Sequence, residues 1–143
     1  MSLENGKANV RKFYEEVMNK GNFSVIDELI SDNIVDHSRL PGFPQGKEGT
    51  KQIQAMFRSA FPDLKATVED IVGEGDKIIT RATVSGTHKG EFMGIPPTGK
   101  SFTINSFDMI RVGPDGKSVE HWGLMDQAGM MQQLGLAPPP GKP

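Results

Sequence analysis

Asp126 stands where a strand-like segment gives way to a helix-like one, and its neighbours could make it a proton-transfer group. Residues 117–125 follow a Gly/Pro/Asp turn and read as a strand. Alternation along that strand puts Glu120, Trp122, Leu124 and Asp126 on one face and Val119, His121, Gly123 and Met125 on the other. A carboxyl beside an indole and a leucine, once helices cover that face, is desolvated, so its pKa rises from about 3.9 and acid/base work at neutral pH becomes accessible. Aspartate is also a favoured helix N-cap. The residues after it run to Leu134 with Gly135 in the C′ position, so a purely structural capping role stands beside the chemical one.

The remaining candidates are polar or aromatic residues that the same pattern brings toward an interior. His37 follows Asp36 at the mouth of a loop; it is either a site residue or a partly exposed histidine bonded to backbone. His88 lies where a strand enters a Gly/Pro-rich loop, and His121, opposite Trp122, is expected at the outer or subunit-contact face. The three histidines contain no close pair, which argues against a bound metal. Trp122 reads as a ligand platform or a core aromatic on the Asp126 face, and Tyr14 and Met56 as partial cavity lining. Asn105 shares a strand face with Phe107 and Met109 and is expected to reach the cavity, while Arg81 and Asp108 need partners wherever they are buried.

These side chains must be positioned by about one domain's worth of chain. A length of 143 residues is enough to bury about two-thirds of the surface the unfolded chain exposes, and one domain over residues 1–143 is expected. Net charge −2, with scattered lysines and arginines, offers nucleic acid and anionic membranes no attractive stripe. No cysteine is present, which fits a reducing cytoplasm, and neither a signal-like N-terminus nor a long apolar run is seen.

Apolar residues Val10, Phe13, Tyr14, Val17 and Met18 recur at helical spacing and predict a helix over 3–20, stopped by Gly21. Ser24 is placed to cap a second helix, with Val25, Ile26, Leu29 and Ile30 as its buried stripe, ending near 31–33. A brief strand over 34–37 and loop chemistry over 41–46 precede a third helix marked by Ile53, Met56, Phe57, Ala60 and Phe61 and stopped by Pro62. Strands are predicted over 64–74, 77–89, 100–112 and 117–125, with hairpin turns at 73–76 and 113–116 and a shaped loop over 88–99. The proline-rich stretch 137–143 reads as an extended tail. Helices first and an antiparallel meander afterwards predict an α+β fold: three N-terminal helices packed on a curved, mainly antiparallel sheet, with a short C-terminal helix. Apolar residues on both strand faces, such as Ile78 against Ile79, predict a homodimer or higher homo-oligomer through the sheet.

Three segments carry a resemblance to a known family: FYEEVMNKGNF at 13–23 continuing to Asp36 and His37, GTHKGEFMGIPPTGK at 86–100, and EHWGLMD at 120–126 followed by QQLG at 132–135. Together they resemble the SnoaL-like polyketide (ester) cyclase family of the nuclear-transport-factor-like superfamily over nearly the whole chain. The resemblance implies a cone-shaped fold with an apolar pocket. It also implies acid/base aldol-type cyclisation of an apolar, carbonyl-bearing small molecule without metal or organic cofactor, Asp126 as the proton-transfer residue and His37 as its helper. The same fold serves other ends. A non-catalytic small-molecule-binding or accessory domain is one alternative, and an epoxide hydrolase or isomerase using the same carboxylate is another.

Overall fold

The structure, a computed structural model, describes residues 3–136; the tail expected over 137–143 lies outside the described residues. Helix α1 (Leu3–Lys12) runs on through a π-helical segment, Phe13–Met18, so the first predicted helix is continuous with one widened stretch. A 3₁₀ turn, Phe23–Val25, leads into α2 (Ile26–Leu29). Ser24 bonds the Asn22 side chain and caps nothing.

The second helix is shorter than its pattern suggests, because Ile30 turns to extended backbone (φ −121°, ψ 132°) and opens β1 (Ile30–Asp36). Isoleucines at 30 and 34 satisfy a period of four and a period of two alike, and pairing of β1 with the C-terminal strand decides between them. Helix α3 (Lys47–Ala60) precedes β2 (Lys65–Glu74), β3 (Lys77–Thr87), β4 (Ser101–Val112) and β5 (Ser118–Met125), and α4 (Gln127–Gln133) closes the described chain.

The strands form one sheet in the order β1-β5-β4-β3-β2, antiparallel except for the parallel β1–β5 pair. Its inner face is read most clearly on β3, where Ile78, Thr80, Ala82 and Val84 are all buried. Phe102 and Ile104 of β4 continue that face, Tyr14, Phe61, Met130 and Leu134 pack against it, and Val17, Ile26, Leu29, Ile30 and Ile34 make a second apolar cluster under α2. The two clusters do not fill the concave sheet. They leave a cavity of about 400 Å³, lined by apolar side chains and a few polar ones, within the size range of small-molecule sites.

The loop between β3 and β4 is built onto the C-terminal end of α3. Lys89 and Gly90 both donate their backbone N–H to the Ala60 carbonyl at 3.0 Å. A side chain at Gly90 would lie 2.3 Å from the Ser59 carbonyl oxygen, so glycine is what allows this approach. The loop thereby sets Phe92 into the core and Met93 at the cavity wall.

Candidate active site

The polar part of the cavity is assembled where β1, β5 and β4 lie side by side. Parallel pairing sets Asp36 beside His121, and antiparallel pairing sets Ile110 opposite His121 and Asp108 opposite Gly123. Partners directly across a ladder share a face, so Asp36, His121 and Asp108 all project inward. His121 Nδ1 lies 3.0 Å from Asp36 Oδ1, and its Nε2 lies 2.8 Å from Asp108 Oδ1. The Tyr14 hydroxyl, brought over the sheet by the π-helical segment, donates to Asp108 Oδ2 at 3.1 Å.

A neutral imidazole has one N–H, yet both ring nitrogens of His121 meet carboxylate oxygens. The ring is therefore held as imidazolium. Burial opposes that charge, but the hydrogen bonds and charges of Asp108 and Asp36 outweigh it and push the His121 pKa up to about 9. For Asp36, burial is again opposed, here by His121 and by the Ser38 backbone and hydroxyl, and its pKa falls to about 2. Burial first, and the adjacent Asp108 second, push the Tyr14 phenol above its ordinary range, so it remains a donor.

Ser38 ties the cluster to β5: its hydroxyl contacts Asp36 Oδ1 at 2.9 Å and accepts from Gly123 N–H at 2.9 Å. Gly123 has no room for a side chain, since a Cβ there would lie 2.7 Å from Asp108 Oδ1 and 2.9 Å from the His121 ring. The guanidinium of Arg39 approaches Asp36 Oδ2 at 3.5 Å, and its side chain is only 6% exposed.

Of the residues singled out from the sequence, Tyr14 lines the cavity. Asp126 does not: its carboxylate is exposed and accepts from Gly129 N–H at 2.9 Å as the N-cap of α4. The expected inward face of β5 is the outward one. His37 stacks on Trp122 outside the cavity (ring centroids 4.8 Å apart) and bonds Glu120 at 2.8 Å. Asn105 is exposed and accepts from Arg81 Nη1 at 3.0 Å. Met56 packs, partly buried, against the core without lining the cavity.

His88 is fully buried between Phe61 and Phe92, behind the cavity wall. Its Nδ1 accepts from Thr98 N–H at 3.2 Å and so pins the two ends of the β3–β4 loop. His121, expected at the outer face, is at the centre of the site, and Asp36, Asp108 and Arg39 join it. Asp108 was already conspicuous as a charge in an apolar strand. Counting back from the 113–116 turn places it on the same face as His121, which was the available signal.

An α+β fold with carboxylates, an imidazolium and a phenol on the wall of an apolar hollow has the features by which a candidate small-molecule site is recognised. The profile of the SnoaL-like polyketide cyclases matches residues 8–134, and the chain belongs to that family. It is 28% identical over 120 residues to the nogalonic acid methyl ester cyclase of Streptomyces nogalater, covering 82% of this chain and 88% of that one. Among solved structures, TsrD from Streptomyces laurentii superposes with a TM-score of 0.87 at 28% identity, covering 96% of this chain and 99% of TsrD. Wild-type IdmH from Streptomyces antibioticus gives a TM-score of 0.78 at 38% identity, covering 91% and 98%.

Proposed function

We propose that the protein is a cofactor-independent cyclase that closes a ring by aldol-type chemistry on an apolar, carbonyl-bearing molecule such as a polyketide ester. The observation that carries this reading is the chain Asp36–His121–Asp108–Tyr14 on the cavity wall. A carbon flanked by two carbonyls is acidic enough for a carboxylate base when the resulting enolate is met by hydrogen-bond donors away from bulk water. Asp108 serves as that base. Its oxygens accept from His121 and Tyr14 and retain lone pairs for the substrate proton.

The His121 imidazolium supplies the countercharge that a carboxylate in an apolar cavity needs, and Asp36 holds the ring in place from its far nitrogen. As Asp108 takes up the substrate proton, the single O–H of Tyr14, kept protonated, turns from that carboxyl to the developing enolate oxygen. The enolate carbon then attacks the second carbonyl, forming the new C–C bond, and the carboxyl of Asp108 returns its proton to the alkoxide. The balance closes with no other reactant. The relatives' names, which are those of methyl ester cyclases, support the substrate class.

The test is incubation of the protein with aklanonic acid methyl ester in buffer containing a chelator. Ring-closed product is expected from the wild-type chain, and far more slowly from Asp108→Asn. Absence of product from the wild-type chain, or dependence on an added metal or cofactor, would overturn the reading.

We infer also that a second copy of the chain covers the outer sheet face in a cytoplasmic homodimer. Val72 (57% exposed), Ile79 (43%), Phe107 (51%) and Leu124 (80%) support this. Such residues on one twisted sheet form a patch that a two-fold axis can pair with itself. None of the described helices is long and apolar enough to cross a membrane.

A further inference from the structure

We propose that the Ser106 hydroxyl donates to the second carbonyl of the substrate, the one whose oxygen becomes the alkoxide, and so fixes which face of that carbonyl the enolate attacks. The assignment rests on the ring closure proposed above and adds a residue to it.

Ser106 belongs to β4, two residues before Asp108, so both side chains leave the inner face of the sheet. It lines the cavity and is 9% exposed. Its neighbours across the two ladders, Ala82 on β3 and Met125 on β5, are apolar. Among the described residues its hydroxyl has no hydrogen-bond partner.

An unpaired polar atom on a buried residue is either sealed in or open to a space. Among the described residues Arg39 Nε, Gln54 Oε1 and His88 Nε2 are sealed in, and the Ser106 hydroxyl is not one of them. It is therefore open, and the space in front of the inner face is the cavity. A serine carries nothing beyond Cβ except that oxygen, so a ligand seated against Ser106 meets the hydroxyl. Alanine would fill the same place without setting a hydroxyl in an apolar row.

The position suits one step of the reaction. The Asp108 carboxylate leans over Gly123 toward β5, with Oδ1 at 2.8 Å from His121 Nε2, and Ser106 is next along the same face. Reacting carbons in a near-attack pair lie about 3–3.5 Å apart, and with the carbonyl bond and a hydrogen bond at each end the base and the donor can stand up to roughly 10 Å apart. Two residues along one strand face are separated by about 7 Å. The other donors around Asp108 are engaged: His121 holds two carboxylates, Ser38 serves Asp36 and Gly123, and Tyr14 turns to the enolate oxygen.

In the step itself the enolate carbon bonds to the carbonyl carbon, the carbonyl π pair moves onto oxygen, and Asp108 then protonates that oxygen. Ser106 keeps its own proton and gives a hydrogen bond that strengthens as the charge grows. With the abstracted proton held at Asp108 and the carbonyl oxygen at Ser106, one face of the carbonyl meets the enolate, and one configuration of the new alcohol results.

Initial rates of the full chain on aklanonic acid methyl ester, with separation of the products epimeric at the new alcohol carbon, test this. Ser106→Ala should lower kcat about 10–100-fold, the worth of a hydrogen bond to a growing charge, with KM changed by less than about threefold. It should also yield both epimers where the wild-type chain yields one. Its thermal midpoint should not fall, because the hydroxyl bonds nothing in the chain. Wild-type kcat or an unchanged epimer ratio in Ser106→Ala overturns the assignment and leaves ring closure by Asp108 standing. A lowered thermal midpoint overturns it as well, since the hydroxyl then serves the fold. A wild-type chain that makes no product overturns the ring closure and the assignment together.

Discussion

The two faces of the sheet invert the usual expectation about polarity. The inner face of β4 and β5 carries Asp108 and His121, and the outer face of the same strands carries Phe107, Met109, Trp122 and Leu124. Charge lies inside because each carboxylate is partnered there, by imidazolium, guanidinium, serine or phenol. Apolar surface lies outside, laid across neighbouring strands by the pairing of Val72 with Ile79, Ile79 with Met109, and Met109 with Trp122. Hydrophobicity alone therefore cannot say which face is the interior. Charge alone cannot either, since Arg111 and Glu120 pair across the outer face of β4 and β5.

The sharpest way to break this contrast is to make the same chemical change on each side. Asp108→Asn keeps the shape but removes the base, so kcat for ring closure should fall by about 10²–10⁴. Asp126→Asn should leave kcat within about twofold, since asparagine caps a helix as well as aspartate does. Equal losses at the two positions, measured by initial rates on one substrate, would remove the distinction between an inner acid/base group and an outer cap.

The outer face offers the next largest effect. Ile79→Asp places a carboxylate between Val72 and Met109, in the middle of the exposed apolar patch. A self-paired face would then bury two unpaired charges, so the dimer dissociation constant should rise at least about 100-fold. Light scattering across a dilution series reads this directly, and a wild-type chain that is already monomeric at high concentration would leave the patch without its second copy.

What could be read from the sequence follows the range of the interactions involved. Helices, hairpins and the α+β order are local: Gly21, Pro62 and the 113–116 turn mark them by backbone chemistry that acts within a few residues. The partner of a strand edge is not local. Nothing near residues 30–36 announces that β1 will lie parallel to β5, and that one pairing turns Asp36 toward His121 and carries Arg39 to α3.

The misplacement of Asp126 has a related cause. Its indole and leucine neighbours suggested an interior, but those side chains belong to the apolar outer face. The capping interpretation needed only Gly129 three residues on, and local chemistry supplied it.

The inner cluster should also show in the pH dependence of stability, where the outer ion pairs should not. His121 has a folded pKa of about 9 against an ordinary 6.5, so the folded state holds its proton more tightly. Its contribution is complete below about 6.5 and is lost as pH rises through about 9. Asp36 runs the other way. With a folded pKa of about 2 against 3.8, its contribution is complete above about 3.8 and is lost as pH falls through about 2. Thermal unfolding should accordingly be most favourable to the fold between about pH 4 and 6.5, and His121→Asn should flatten the alkaline limb. Neutralising the exposed Arg81–Asp70 pair should leave the profile unchanged. An alkaline limb that survives in His121→Asn would mean that another group controls it.

The smallest effect belongs to the N-cap of α4. Asp126→Ala removes the side-chain acceptor for Gly129 N–H at the start of α4, and the lost cap should cost about 1 kcal/mol. That helix presents Met130 and Leu134 to the core beneath the cavity, so the loss should register in denaturant midpoints with an unchanged slope. It should not register in the pH at which ring closure is fastest, because the carboxylate is separated from the Asp108–His121 pair by the sheet face on which it lies. A shift of that pH optimum on removing Asp126 would show the two faces to be electrostatically coupled, and the proton inventory of the site would then have to include the cap.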